Sequence, residues 1–207
     1  MFFIFLTAWW VVTPPFQTPD EFAHHERLAT IMSGDLLGLS STVNSQFINP
    51  ISTVREIGNI PYHPDIGFNA SAIGIAKMQQ YSTSMGKVDL TNCCATNYPP
   101  VFYSALVLPN WVLLQFDLTP YDQYAILRIS LICMVAALWA AAAVVAFRLG
   151  ISTFVVMSVT TPMVGFMSTG INPDAFLYPI TVLYFLAFVQ IFRGYQPKIW
   201  HVAVALS

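Results

Sequence analysis

Four strongly apolar stretches, 1–12, 101–116, 124–147 and 151–190, alternate with polar sequence, and a fifth begins near residue 199. The fourth is interrupted by polar residues at 168–174. A helix needs about 20 apolar residues to cross a bilayer, so 124–147, 151–167 and 175–192 are predicted spans. Residues 1–13 read as the outer end of a first span whose cytoplasmic part is missing, and 199–207 as the start of a further one. The chain is therefore expected to be part of a longer protein. The apolar start lacks the basic residues and small-residue cleavage site of a signal peptide. Trp9 and Trp10 at its end suit the aromatic belt of a membrane interface.

Residues 14–123 are predicted to form one large external loop with short helices. Between Thr13 and Tyr98 this loop is mixed in polarity and rich in Asn, Ser, Thr, Pro and Gly. The stretch 101–116 falls short of spanning length and carries Pro109-Asn110 at its centre. An interfacial or re-entrant helix fits it better than a span. The expected fold class is an all-α polytopic membrane domain.

Composition supports the same class. Hydrophobic residues make up 56% of the 207 and charged residues only 9%, where a soluble domain carries about 25% charge. Such a chain cannot cover itself with a polar surface, so its partner is the lipid bilayer. The net charge of −2 and the lack of any Lys/Arg run exclude nucleic acid as a partner. Isolated glycines leave no phosphate-cradling or dinucleotide fingerprint. The three cysteines, Cys93, Cys94 and Cys133, do not have zinc-site spacing. A strained vicinal disulfide between Cys93 and Cys94, two free thiols and an intermolecular bond are all compatible with it.

Lys and Arg placement orients the spans, because cytoplasmic connections are enriched in positive charge. Arg148 lies in a tight connection, and Arg193 and Lys198 flank another. With both connections cytoplasmic, the turn 168–174 and the loop 14–123 share the external face.

The segment Thr13-Pro14-Pro15-Phe16-Gln17-Thr18-Pro19-Asp20-Glu21-Phe22-Ala23-His24-His25-Glu26-Arg27 carries the most chemistry. Thr18 as N-cap, Pro19 at the first helical position and acids in the first turn predict a helix start. On that helix Asp20 and His24 lie one turn apart, as do Glu21 and His25. Acids at this place also simply complement the helix dipole. Their position beside a membrane span favours a functional use. Asn172-Pro173-Asp174 is ordinary turn chemistry, yet it faces the same side as Asp20 and Glu21. Two acidic points on one face suit either general base catalysis or a divalent metal held by Asp20 and Asp174. Their spacing does not choose between the two.

Asn97-Tyr98-Pro99-Pro100 opens the interfacial helix, where a proline start and an aromatic belt are explanation enough. Arg128 lies one turn inside the next span. An intramembrane arginine is a functional candidate, with a lipid phosphate as one counter-ion. Pairing with Asp122 or Asp117 at the helix mouth accounts for it equally well.

The order of these elements resembles the domain-of-unknown-function 2142 family of bacterial membrane proteins. The resemblance rests on PP…TPDEFAHHERLATIMSGD, on NYPPVFY, on an Arg-bearing span and on a small-residue turn with Asn-Pro-Asp. That family in turn resembles the glycosyltransferase C superfamily, polytopic enzymes that use polyprenyl-phosphate-linked sugars. The resemblance implies an acid in the first external loop, matched by Asp20 or Glu21, and a second in the next, matched by Asp174. His24, His25, Tyr98 and Arg128 are the candidate substrate-binding residues beside these acids, and the resemblance implies a bacterial inner-membrane location.

The expected function is transfer of sugar from a polyprenyl-phosphate donor in cell-surface polysaccharide or glycoconjugate assembly. The alternative is a non-enzymatic transporter or flippase-like component of the same pathway. Acids at the outer rim favour transfer, whereas acids at the bilayer midplane favour transport.

Overall fold

The structure is a computed structural model that describes residues 2–13, 15–39, 42–48, 86–89 and 98–193. Cys93, Cys94, Lys198 and the apolar run from 199 lie outside the described residues. The described fold is mostly helical. One small departure from an all-α fold is an antiparallel pair of three-residue strands, β1 (Thr42–Asn44) and β2 (Lys87–Asp89), with Val43 opposite Val88.

The first helix, α1 (Phe2–Val12), is apolar along its whole length, and a turn follows at Pro15 and Phe16. After this turn α2 (Glu21–Met32) begins two residues later than Thr18 and Pro19 predict. Asp20, not Thr18, occupies the N-cap, with φ 56° and ψ 7° in the left-handed region. Aspartate visits that region more readily than most residues, and its carbonyl still accepts the His24 amide at 2.9 Å. Pro19 is left outside the helix.

Following the strands, α3 (Val101–Leu113) starts at Pro100 and contains Pro109. Its buried residues, Tyr103, Leu106, Asn110 and Leu113, recur at helical spacing and form one face. Thirteen residues extend only about 20 Å at 1.5 Å per residue, well short of a ~30 Å hydrocarbon core. Asn110 ties this face to its neighbours by donating to Met32 Sδ at 2.9 Å and accepting from Gln123 Nε2 at 3.0 Å.

The longest helix, α4 (Pro120–Arg148), starts four residues before the predicted span. Thr119 caps it by accepting the Asp122 amide, and Pro120 fills the first turn. Tyr124, Arg128, Leu131, Val135, Trp139, Ala142 and Ala146 make its buried stripe. The helix ends in a Schellman turn. Gly150 takes φ 68°, its amide reaches the Phe147 carbonyl, and the Ile151 amide reaches Ala146 at 2.9 Å.

Sequence predicts one span over 151–167, but the structure divides it into two six-residue helices, α5 (Thr153–Ser158) and α6 (Pro162–Met167). Pro162 has no amide to donate to the previous turn, and Thr161 instead caps α6 by accepting the Val164 amide. The final helix, α7 (Asp174–Phe192), packs along α4. Arg193 closes this pair on its far side by donating to the Leu149 carbonyl.

Among the described residues α4 and α7 are the two helices long and apolar enough to cross a membrane. Ile129, Val144 and Phe147 on α4, with Phe185, Phe188 and Phe192 on α7, stay exposed on their outer faces, as lipid contact requires. The first helix packs against α4 and α6. A Cβ built on Gly165 would stand 2.6–2.8 Å from Phe5 and Trp9 ring atoms, so only glycine permits that approach.

Candidate functional site

The turns before α2 and before α7 meet at the head of α4. Glu21, the first residue of α2, is completely buried there. Its Oε1 accepts from the Tyr124 hydroxyl at 2.5 Å and from the Ile171 amide at 2.9 Å. Its Oε2 accepts from the Thr18 hydroxyl at 2.8 Å. Arg128 supplies the opposite charge, with Nε 3.7 Å from Oε1.

Arg128 is itself enclosed. Its Nε donates to the Thr169 carbonyl at 2.5 Å, and both terminal nitrogens reach the Thr13 carbonyl at 3.3 Å. Its partners are therefore Glu21 and two backbone carbonyls rather than Asp122 or Asp117. Asp122 instead accepts the Thr119 hydroxyl at 2.7 Å. An arginine buried this far from water needs such satisfaction, because an unpaired charge would be very costly to keep there.

Tyr124 links the knot to the turn below it. Its hydroxyl accepts the Phe16 amide at 3.1 Å while donating to Glu21. Phe16 is buried and, like Asp20, has a positive φ, here 60°. Two non-glycine residues in left-handed conformation within five positions store backbone strain, which concentrates at functional sites.

A second, more open layer lies over this knot. Asp20 is exposed and gives no side-chain cap to its helix. Asp174 is half-buried at the start of α7, its amide held by Asn172 Oδ1 at 2.9 Å. The Asn172 side chain also donates to the Pro19 carbonyl at 3.3 Å, which pins one acid's turn to the other's. Half-buried Tyr98 senses both acids: burial raises its hydroxyl pKa first, and the charges of Asp174 and Asp20 raise it further.

His24 backs this layer. Its Nδ1 shares a 2.7 Å hydrogen bond with the Tyr103 hydroxyl, and its ring meets Tyr98 edge-on at 4.7 Å. Burial pushes its pKa down to about 4, against a smaller opposing pull from Asp20. Neutral at ordinary pH, it orients the tyrosines without adding charge. His25 points to the other side of α2, stacked on Tyr124 at 5.8 Å. Burial lowers its pKa to about 4 as well.

The chain's family follows from comparison. The family model described as "Predicted membrane protein", domain-of-unknown-function 2142, matches residues 3–206. The chain belongs to that family. No curated relative and no solved structure matches it. In this 2142-family chain Asp20, Asp174, His24 and Tyr98 gather at one layer, while Glu21 and Arg128 form the buried knot beneath. His25 stands apart. Sequence reasoning missed Tyr103, Tyr124 and Ile171, all brought in by tertiary contact, and read Thr18 as a helix cap where its hydroxyl serves Glu21. Among the described residues no three His, Cys, Asp or Glu side chains converge as a metal-ligand set.

Proposed function

We propose that this membrane protein is a glycosyltransferase-C-like enzyme taking a polyprenyl-phosphate-linked sugar on the external membrane face. The observation that carries this reading is Asp20. It is an exposed acid held in a strained backbone conformation over a buried, charge-paired base, with Asp174, Tyr98 and His24 around it. The carboxylate is accessible, while its backbone is fixed by Thr18, Glu21 and the head of α2.

In the proposed reaction Asp20 takes the proton of an acceptor hydroxyl. The hydroxyl oxygen forms a bond to the sugar anomeric carbon as the bond from that carbon to the phosphate oxygen breaks. The electron pair leaves with polyprenyl phosphate, and a single displacement inverts the anomeric centre. Tyr98 and Asp174 bind sugar hydroxyls. Glu21 and Arg128 are positioning residues, since neither presents surface to a substrate. The described donors near Asp20 do not form a metal set, and no step is routed through one.

Acid placement argues against the transporter reading. The only acids on α4 and α7 are Asp122 and Asp174, both in the first turn of their helix. None stands at mid-span, where an ion pathway would need one.

The test is sugar release and transfer by the purified full-length protein with radiolabelled polyprenyl-phosphate hexoses, pentoses and deoxyhexoses. Asp20→Asn, which keeps shape and removes charge, should abolish turnover, and Asp35→Asn should not. Equal activity of Asp20→Asn and the native protein would overturn the assignment.

A further inference from the structure

A second site lies away from the acids. A groove of about 490 Å³ runs between the helical residues 46–47 and the α3–α4 connection. That is within the usual ~300–1,000 Å³ of ligand pockets. Trp111 and Phe116 present exposed aromatic faces to it, and Phe47 is half-buried on the opposite wall. Between them stand the carboxamides of Gln46, Gln115 and Gln123 and the exposed carboxylate of Asp117.

Phe47 and Gln123 also line a hollow of about 10 Å³ that His25 and Asn110 share, room for about one water molecule. His25 is 6% exposed, and its Nδ1 has no hydrogen-bond partner among the described residues. The groove thus neighbours a buried polar atom that has no hydrogen-bond partner among the described residues.

The lining narrows the choice of ligand. Among the described residues no Lys or Arg faces the groove and one carboxylate does, so an anion such as a phosphate is disfavoured. Two exposed carboxamides, Gln46 and Gln115, backed by buried Gln123 whose Nε2 is taken by Asn110, offer donors and acceptors together, too many polar groups for an acyl chain. A neutral molecule with apolar C–H faces and many hydroxyls matches both the rings and the amides. We propose that this groove binds a neutral saccharide. Its hydroxyls meet Gln46, Gln115 and Asp117, and its C–H face stacks on Trp111. This proposal does not depend on the catalytic reading of Asp20, because binding here requires no transfer.

The experiment uses the full-length protein in lipid nanodiscs on an array of neutral hexose, deoxyhexose and N-acetylhexosamine oligosaccharides. Native protein should retain at least one of these glycans. Trp111→Ala and Asp117→Asn should each weaken retention by about tenfold or more with unchanged melting, since both side chains are exposed. Asp20→Asn should retain the glycan as the native protein does. Absence of retention at millimolar glycan would overturn the proposal, as would retention that Trp111→Ala leaves intact. Loss with Asp20→Asn alone would move the glycan to the acids and overturn it too. A fluorescence component quenched by bromolipid in native protein and missing in Trp111→Ala would show that ring seated in the bilayer, and would overturn it equally.

Discussion

Glu21 and Ile171 stand 150 positions apart, yet the Glu21 carboxylate accepts the Ile171 amide at 2.9 Å. That bond joins the turn before α2 to the turn before α7, and Arg128 neutralises the charge between them. Breaking one half of a buried pair while leaving the other costs about 3–5 kcal/mol. Glu21→Gln should therefore lower the melting temperature sharply in detergent. Glu21→Gln combined with Arg128→Met should cost less than the sum of the two single changes. Additive losses would show that the two residues do not act as a pair.

A close backbone approach supports the same junction. A Cβ on Gly170 would lie 1.8 Å from Thr18 Oγ1, the hydroxyl that donates to Glu21. Gly170→Ala should destabilise by at least the ~1–3 kcal/mol of ordinary overpacking. Gly150→Ala gives the contrast, because its Cβ meets nothing within 4 Å and only the φ of 68° is unfavourable. Left-handed backbone costs about 1–2 kcal/mol for a residue with a side chain. Thermal melting of the two variants side by side checks the order.

Strain at Asp20 sets stability against activity. With φ 56°, Asp20→Gly removes the left-handed penalty of about 1–2 kcal/mol, partly offset by the greater freedom of glycine in the unfolded chain. The variant should melt no lower than native protein while losing sugar transfer. A variant that both melts lower and keeps turnover would contradict the roles given to this residue.

Two buried histidines predict the response to acid. His24 and His25 both have folded pKa values lowered to about 4 from 6.5. Between these values the unfolded chain binds more protons than the folded one, so stability falls as pH decreases. Stability from these residues is complete above about pH 6.5 and is lost as pH falls through 4. Melting curves from pH 7.5 to 4.5 should drop, and His25→Phe should flatten the drop.

The proposed orientation has its own check. Cysteines introduced at exposed Gln115 and Asp117 should react with an impermeant maleimide from outside intact cells. Cysteines at exposed Arg148 and Gly150 should react only after the cytoplasm is opened. Reaction of position 148 from outside would reverse the membrane orientation and remove the external acids with it.

Much of the helical frame was legible because lipid imposes a simple rule of length and apolarity. The α4 and α7 spans show as uninterrupted apolar runs. The division between α5 and α6 was harder to read, although Thr160-Thr161-Pro162 carries its signal, a cap residue followed by a proline. At the site, residue types marked Asp20, Glu21 and Arg128 without separating their roles. The cause is distance along the chain. Arg128 finds Glu21 across 107 positions and Thr13 across 115, and no local pattern announces such partners. The Asp20 conformation was likewise hidden, since Thr18-Pro19 describes a good helix start until Glu21 takes the Thr18 hydroxyl for its own side chain.

Much of what holds the Glu21–Arg128 pair is main chain. The carbonyls of Thr13 and Thr169 and the amide of Ile171 are present whatever side chains those positions carry. Positions 13, 169 and 171 are therefore open to exchange among residues of similar bulk, while a proline at 171 would delete a donor. Glu21 and Arg128 have no such latitude. Relatives of this chain should accordingly drift at the three backbone positions while keeping one acid and one guanidinium, so the junction would pass between sequences that share few of its letters.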